Sequence, residues 1–283
     1  MELNSYEFLC FISLKTWNEN NCNIIFDFSE NLYFESNLCS PFGAVLEGLR
    51  SKNNKIIFKK LNKKIEGEFI ENGFYQLVNS GFLNNNSIET IMDFKKFTLE
   101  DNISFQEYIN TQLLAQSDFP ILSPLLKKKI NKSILEIFNN AYTHGGSEYV
   151  YTCGQYFTTN SKLNFTISDM GKTIRKNVND YFKSGNTIDG KSAIGWAVEE
   201  GNTTKKGSIP GGLGLSLIRD FLKLNHGAIQ IISSNGYWEE KNGIIFGQDF
   251  KNRFLGTIVN LEFNLNDKKS YVLSSEIDPK NVF

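Results

Sequence analysis

The stretch "EIFNNAYTHGG", Glu136 to Gly146, places a carboxylate, two adjacent amides and a histidine close together and ends in two glycines. On the 3.6-residue period of an α-helix, Glu136, Asn140 and His144 fall on one face. An apolar stripe lies beside that face: Ile130, Ile134, Ile137 and Ala141. The spacing predicts a helix that packs through one face and offers ligands on the next, although an ordinary amphipathic helix has the same pattern.

The composition is that of a globular protein. Of the 283 residues, 40% are hydrophobic and 24 are Phe, which is enough apolar material for two cores. The formal net charge of -1 gives no overall field for nucleic acid or an anionic membrane, and the run 127–129 of lysines is interpreted as a solvated helix start. The four scattered cysteines and two histidines predict reduced thiols rather than a zinc site or disulfides.

The start of the chain and its hydropathy predict a cytoplasmic protein. Glu2 and Glu7 stand where a secretory signal peptide needs basic residues. No stretch approaches the roughly 18 consecutive apolar residues of a membrane span. We therefore expect neither a membrane nor a nucleic acid as partner.

The first of two expected domains covers residues 1–87. Two β-branched and aromatic runs, 23–28 and 55–61, flank a helical pattern at 40–51, which indicates a β-α-β unit. The polar, turn-rich residues 79–87 are the predicted boundary.

The second domain, residues 129–265, is predicted to be an α/β domain with its helices on one face of a sheet. Residues 88–128 are expected to be a connector with a helix at 104–116, and residues 266–283 a tail. Periodicity predicts the remaining elements in chain order: strands 148–157 and 162–169, helices 174–182, 193–200 and 213–224, and strands 228–233 and 256–263. Residues 238–256 are expected to lengthen the last connection beyond a tight hairpin.

A second polar motif is "ISDMGKTI", where Asp169 closes a predicted strand and Gly171 follows. A carboxylate at a strand end can accept a hydrogen bond from an amino group such as that of adenine, and a glycine lets the backbone approach closely. Asp-x-Gly is also a common turn, so the motif alone leaves both possibilities open.

The third motif is "NTTKKGSIPGGLGLSLI", in which glycines precede an apolar-periodic helix. Free backbone N–H groups and the helix dipole converge there, where a phosphate could sit, and Lys205 could add charge. The Gly-Lys-Ser/Thr of a Walker A loop is missing, and a flexible connector is an equal alternative.

The order of these motifs resembles that of the Bergerat-fold ATPases, which include gyrase, heat-shock chaperone ATPases, mismatch-repair proteins and histidine kinases. Glu-x-x-x-Asn-Ala comes first, Asp-x-Gly second, and Thr-Thr-Lys with a glycine loop third. The segment "GTIVNLEF" matches the Gly-Thr strand that closes this fold. The resemblance implies a two-layer α/β sandwich that binds ATP with Mg²⁺.

The resemblance also implies roles for individual residues. Asn140 would be the magnesium ligand and Glu136 the general base. Asp169 would read the adenine amino group, Gly171 would shape the pocket, and Thr257 would support Asp169 through an ordered water. Phosphoryl transfer requires this positioning and charge neutralisation more than covalent chemistry.

The phosphates would be held at the end of a mobile lid of about residues 175–211. The residues implied there are Lys205, Gly212, Leu213, Gly214 and Leu215. Thr173, also placed in the implied pocket, stands where the family has the second glycine of Asp-x-Gly-x-Gly. Pro210 and Gly211 replace the Gly and Thr that many histidine kinases have before Gly-Leu-Gly-Leu-Ser. ATP binding is still expected, and these departures leave its affinity open.

Residues 24–61 resemble the STAS domain of anti-sigma-factor antagonists: strand, acidic-Ser turn, helix, strand. Asn37 stands at the position of the usual phosphoacceptor serine, with Ser36 beside it. "NNAYTHGG" looks most like the "NAxxHG" ending of anti-sigma-factor serine kinases, and no histidine precedes Lys129, which argues against a sensor histidine kinase. For His144, a local role at the helix end is the favoured interpretation.

Three functions remain open from the sequence. The first is a Mg-ATP-dependent serine/threonine kinase or anti-sigma-type switch with a protein partner. The second is an ATP-hydrolysing clamp that works as a homodimer, and the third is a non-catalytic, nucleotide-gated binding module. A carboxylate at position 136 favours the first two, because a hydroxyl and a water both need a proton acceptor.

Overall fold

The computed structural model describes residues 3–78, 91–183, 187–204 and 213–277. The strands in this part of the chain are β1 (Asn23–Asp27), β2 (Lys55–Lys59), β3 (Ile91–Phe97), β4 (Ile121–Leu122), β5 (Val150–Phe157), β6 (Lys162–Asp169), β7 (Ala228–Lys241), β8 (Ile244–Asn264) and β9 (Ser270–Tyr271). The α-helices are α1 (Leu3–Thr16), α2 (Cys39–Arg50), α3 (Lys63–Glu71), α4 (Phe74–Val78), α5 (Asn102–Tyr108), α6 (Pro124–Thr143), α7 (Ile174–Phe182), α8 (Gly190–Val198) and α9 (Leu213–Leu224). None of the described helices is both long and apolar enough to cross a bilayer.

A five-stranded antiparallel sheet in the order β3-β5-β6-β8-β7 lies at the centre of this mixed α/β fold. Two short parallel pairs, β1-β2 and β4-β9, lie outside it. The predicted α/β class is confirmed, and α7 and α9 begin and end where the periodicity predicts.

The front face of the sheet carries the larger hydrophobic core. Leu163, Phe165 and Ile167 alternate along β6 and are buried there, as their period of two predicts. The apolar stripe of α6 packs in the same core, as predicted: Ile130, Ile134, Ile137 and Ala141. The helix α9 joins it, so the two helices form one layer over the front of the sheet.

Local capping determines where α6 begins and ends. The Ser123 hydroxyl accepts a hydrogen bond from Leu126 N at 3.1 Å, and Pro124 occupies the first turn. The helix therefore begins inside the predicted connector rather than at residue 129. At its other end, the N–H groups of His144 and Gly145 both donate to Asn140 O, and Gly146 has a φ of +61° that turns the chain away.

The β-α-β unit predicted near the start of the chain is confirmed. β1 and β2 pair in parallel, and α2 connects them. Ser36 and Asn37, the two positions compared with a phosphoacceptor, lie just before α2 and are fully buried.

The rear face of the sheet carries many polar side chains beside apolar ones such as Ile232 and Ile258, and the segment that contains α1 and α2 covers it. Ser40 Oγ lies 2.8 Å from Ser168 Oγ, and Asn37 Nδ2 donates to Thr166 Oγ1 at 3.2 Å. These contacts cross from the predicted first domain to the sheet of the second. The two regions therefore share a buried, hydrogen-bonded interface.

Residues 91–97 of the predicted connector form the edge strand β3, which pairs with β5. The helix predicted at 104–116 is α5 followed by a π-helical turn, Ile109–Leu113. Residues 79–87, where the sequence predicts a boundary, lie outside the described residues.

β7 and β8 form a long hairpin, so the extended connection expected at residues 238–256 is wrong. Lys241 pairs with Ile244, and the turn between them is Asn242-Gly243, with φ values of +52° and +74°. Positive φ at both central residues is what a type I′ turn requires, and Asn-Gly is its strongest sequence signal. The prediction missed this signal because few apolar residues alternate around it.

Candidate functional site

A cavity of about 790 Å³ lies between the front of the sheet, α6 and the segment that contains α7 and α8. This volume is within the range of small-molecule sites. Apolar side chains line its sheet side: Ile167, Ile231 and Val259. Polar side chains of α6 line the opposite wall, so the cavity has an apolar and a polar side.

Five of the predicted site residues, from four separate segments of the sequence, line this one cavity: Glu136, Asn140, Asp169, Leu215 and Thr257. Gly171 and Thr173 are not among its lining residues; Thr173 instead caps α7, its hydroxyl accepting from Lys176 N at 3.3 Å. Leu213 and Gly214 begin α9. Lys205 and Gly212 lie outside the described residues.

Asp169 is the last residue of β6 and is only 5% exposed. Its Oδ1 atom accepts a hydrogen bond from Gly171 N at 2.7 Å. A Cβ atom at Gly171 would lie 2.5 Å from Gly145 O, and one at Gly145 would lie 2.3 Å from Ala141 O. The glycines of two motifs therefore let the end of α6 and the turn after β6 meet around this carboxylate.

Burial raises the pKa of the Asp169 carboxyl from 3.8 to about 7, while the hydrogen bond from Gly171 N opposes the rise. Near neutral pH the group is therefore divided between its charged and neutral forms. A ligand that donates a hydrogen bond to the carboxylate would favour the charged form and would bind better where that form prevails.

Thr257 lies opposite Asp169 in the antiparallel register of β6 and β8. Its Oγ1 atom is 2.9 Å from Ser233 Oγ, and Ser233 Oγ donates to Gly256 O at 3.2 Å. Because Ser233 has only one hydroxyl proton, Thr257 must then donate to Ser233. The Thr257 oxygen keeps its lone pairs available to a water or ligand beside Asp169.

Glu136 and Asn140 lie one turn apart on α6 and are both half-buried in the wall of the cavity. In the part of the chain that the structure describes, neither side chain is held by a hydrogen bond or an ion pair. Their oxygen atoms can therefore be used by a ligand, which is the arrangement that the helical spacing predicts.

His144 connects the end of α6 to the segment over the cavity. Its Nδ1 atom lies 2.9 Å from Thr204 Oγ1, and its carbonyl accepts from Asn177 Nδ2 at 2.8 Å. All three residues line the cavity. His144 therefore has the local role at the helix end that the sequence favours, and it also joins two walls of the cavity.

The segment that contains α7 and α8 was predicted to be a mobile lid, and the structure shows it attached to the β7-β8 hairpin. Arg175 donates to Asn235 Oδ1 at 3.0 Å, and Asp249 Oδ1 accepts from Lys191 N at 3.1 Å. A Cβ atom at Gly190 would lie 2.4 Å from Gly236 N, so the backbones touch. The hairpin therefore supports the outer wall of the cavity.

Arg219 of α9 makes a further connection between the hairpin and the wall. Its Nε atom lies 2.6 Å from Glu240 Oε2, and its guanidinium also donates to Val198 O at 2.7 Å. Val198 closes α8 and lines the cavity. Nothing in the predicted motifs indicated this residue.

Three lysines that the sequence analysis did not place in the site also line the cavity: Lys129, Lys132 and Lys172. Lys172 is paired with Asp180 at 2.7 Å. The signal for the other two was present in the sequence, because Lys129, Lys132 and Glu136 have the i, i+3, i+7 spacing of one helical face.

The oxygen donors of α6 fit a magnesium ion carried by phosphate groups. Mg²⁺ in such sites takes one or two protein oxygens and completes its shell with phosphates and water. Asn140 offers an amide oxygen, and Glu136 offers carboxylate oxygens on the adjacent turn. Within the described residues, no group of three or more His, Cys, Asp or Glu side chains is placed to hold a metal ion.

Compared with models of known protein families, the chain matches none, and a search of curated proteins finds no significant match.

Proposed function

We propose that the chain is an ATP-binding regulatory protein of Bergerat-fold type that uses Mg-ATP to phosphorylate a serine or threonine of a protein partner. The observation that carries the proposal is the cavity that collects Asp169, Asn140 and Glu136. The antiparallel sheet with α6 and α9 on one face supports it, because a two-layer sandwich is the architecture that the resemblance implies.

The Asp169 end of the cavity has the chemistry to bind an adenine ring. An exocyclic amino group would donate to the buried carboxylate, which otherwise has little water around it. The ring would lie against the apolar side formed by Ile167 and Val259. Thr257, with free lone pairs, would accept a hydrogen bond from a water beside the ring.

The wall of α6 has the chemistry for the phosphates. Asn140 would hold Mg²⁺, which when bound neutralises charge on the phosphate oxygens. Glu136, one turn away, would accept the proton of the attacking hydroxyl at its carboxylate.

The segment before the sheet supports a partner rather than an internal phosphate acceptor. Asn37 has no hydroxyl, and Ser36 is fully buried at the interface with the sheet. Neither can reach Glu136 while this interface is closed. The hydroxyl that receives the phosphate would therefore belong to another protein, and the STAS-like segment would provide a surface for partner exchange.

The test is to incubate the protein with Mg²⁺, γ-labelled ATP and a cell extract, next to the variant Glu136→Gln. Label transferred to a protein, and lost in the variant, would support the kinase. Label released as phosphate would favour the hydrolysing clamp, since water would then be the group that Glu136 activates. Bound ATP with no transfer in either preparation would identify the nucleotide-gated module.

A further inference from the structure

The polar wall of the cavity continues beyond Glu136 toward the beginning of α6. Lys132 lies one turn before Glu136, and Lys129 lies three residues earlier; both line the same cavity. At 1.5 Å per residue, the Cα atom of Lys132 is about 6 Å along the helix from that of Glu136 and about 12 Å from that of Asn140.

The groups along this wall follow a definite order. Gly145, just past the helix end, touches Asp169, so the buried carboxyl marks one end of the cavity. Asn140, Glu136 and Lys132 then follow at intervals of one turn. The cavity therefore offers a hydrogen-bond acceptor at one end and a cation at the other, which complements an elongated ligand with an amino group and a terminal anion.

The two lysines differ in what surrounds them. The carboxylate of Glu276 has a pKa lowered chiefly by the Ser123 hydroxyl and, to a smaller extent, by the charge of Lys129, so Lys129 has an acidic neighbour. For Lys132, the described residues include no ion-pair partner. Lys132 is thus the more available cation. Lys128 lies on the same helix and is exposed, as Lys129 and Lys132 are, but it is not among the residues that line the cavity.

We infer that Lys132, assisted by Lys129, binds the terminal phosphate of the nucleotide and makes the cavity discriminate a nucleoside triphosphate from a diphosphate. The inference rests on the proposed function for the identity of the ligand. A lysine ammonium binds phosphate oxygens as a point charge with three donors. Loss of the terminal phosphate would remove this contact, so the protein would hold the product more weakly than the substrate.

The test measures by calorimetry the binding of ATP, ADP and inorganic triphosphate, each with Mg²⁺, to the full chain and to the variants Lys132→Gln and Lys128→Gln. We expect Lys132→Gln to weaken ATP and triphosphate binding about tenfold, as for the loss of a charge-assisted contact, and to leave ADP binding unchanged. Lys128→Gln, a matched change of charge outside the cavity, should leave the affinities for all three ligands unchanged.

The outcomes separate this inference from the proposed function. If Lys132→Gln weakens ATP and ADP binding equally, or weakens neither, the inference is overturned. The proposed function, which requires only that ATP binds, would stand. Triphosphate binding that depends on Lys132, in a protein with no preference for adenine nucleotides, would support the anion site and overturn the proposed function. Wild-type protein that binds none of the three ligands would overturn both.

Discussion

Thr257 of β8 is the register partner of Asp169 of β6, and the two residues close the same end of the cavity. The residue before Thr257 is Gly256, where a Cβ atom would lie 1.9 Å from Asp169 O. The acid is thus held by strand pairing and a close backbone contact rather than by a loop. Sites supported in this way keep their geometry before a ligand arrives.

The variants Asp169→Asn and Glu136→Gln should separate binding from chemistry. Asp169→Asn removes the charged acceptor, so nucleotide affinity should fall about tenfold or more. Glu136→Gln keeps the shape of the wall but removes the proton acceptor, so ATP should still bind while phosphate transfer stops. Calorimetry and γ-phosphate transfer on the same preparations check both effects. The reverse pattern would contradict the roles assigned to the two acids.

Adenosine binding should depend on pH through Asp169. The carboxyl has a pKa of about 7 in the free protein, and an amino donor favours its charged form. Affinity should be constant above pH 7 and fall below it, approaching about tenfold per pH unit. Adenosine is used because it has no phosphate that titrates in this range. A flat profile between about pH 5.5 and about pH 8.5 would contradict the role of Asp169.

The same carboxyl should make the free protein less stable at higher pH. Its folded pKa is raised, so the folded state binds the proton more tightly than the unfolded chain does. Stability from this group is present below about pH 4 and is lost as the pH rises to about 7. Asp169→Asn should therefore raise the melting temperature relative to wild type more at about pH 8, above this window, than at about pH 4.5, near its lower end. An equal difference at both pH values would count against this account.

The site was largely predictable because its residues follow short-range rules. Helical spacing places Glu136 and Asn140 on one wall, and the strand end followed by glycine indicates Asp169. The contacts that complete the site depend on residues far apart in the chain, such as Arg219 with Val198 and Arg175 with Asn235, and no local period encodes them. Thr173 is a residue that the motif predicted wrongly. It was expected in the pocket, but its hydroxyl caps a helix and does not line the cavity.

The rear of the sheet explains why the fold was harder to predict than the site. In a strand with alternating apolar and polar residues, Thr166 and Ser168 would be expected to face solvent. In the structure they are buried beneath the segment with Asn37 and Ser40. Polar side chains that pair with one another can be buried without an apolar signal in the sequence. The hydrophobic pattern therefore predicts that only the front face of the sheet is covered, whereas both faces are covered in the structure.

Gly256→Ala should disturb both the sheet and the site. The new methyl group would overlap the backbone of Asp169, which cannot move as a flexible side chain can. We expect a loss of about 2 kcal/mol or more in the free energy of unfolding, measured by chemical denaturation. Gly67→Ala in α3 is the control, because nothing lies within 4 Å of its added Cβ. The control should be stabilising by about 0.5–1 kcal/mol. A Gly256→Ala variant that is at least as stable as the wild type would contradict the close contact.

Arg219→Lys should weaken ligand binding even though Arg219 does not line the cavity. Lysine keeps the charge but cannot bond Glu240 and Val198 O with one planar group. The end of α8 would then be held less firmly, and ATP affinity should fall a few-fold together with the melting temperature. Arg219→Lys that lowers the melting temperature but binds ATP as wild type does would show that the wall does not need this connection.

The Asn242-Gly243 turn has a consequence for the order in which the chain folds. Strands joined by two residues need little loop closure and can pair within microseconds, whereas β6 must meet β8 across the whole segment that includes α7, α8 and α9. β7 and β8 are therefore expected to pair early, and β6 is expected to pair with the free edge of β8 afterwards. The acid at the end of β6 reaches its place only in that late step, so the ability to bind a ligand should appear last during refolding.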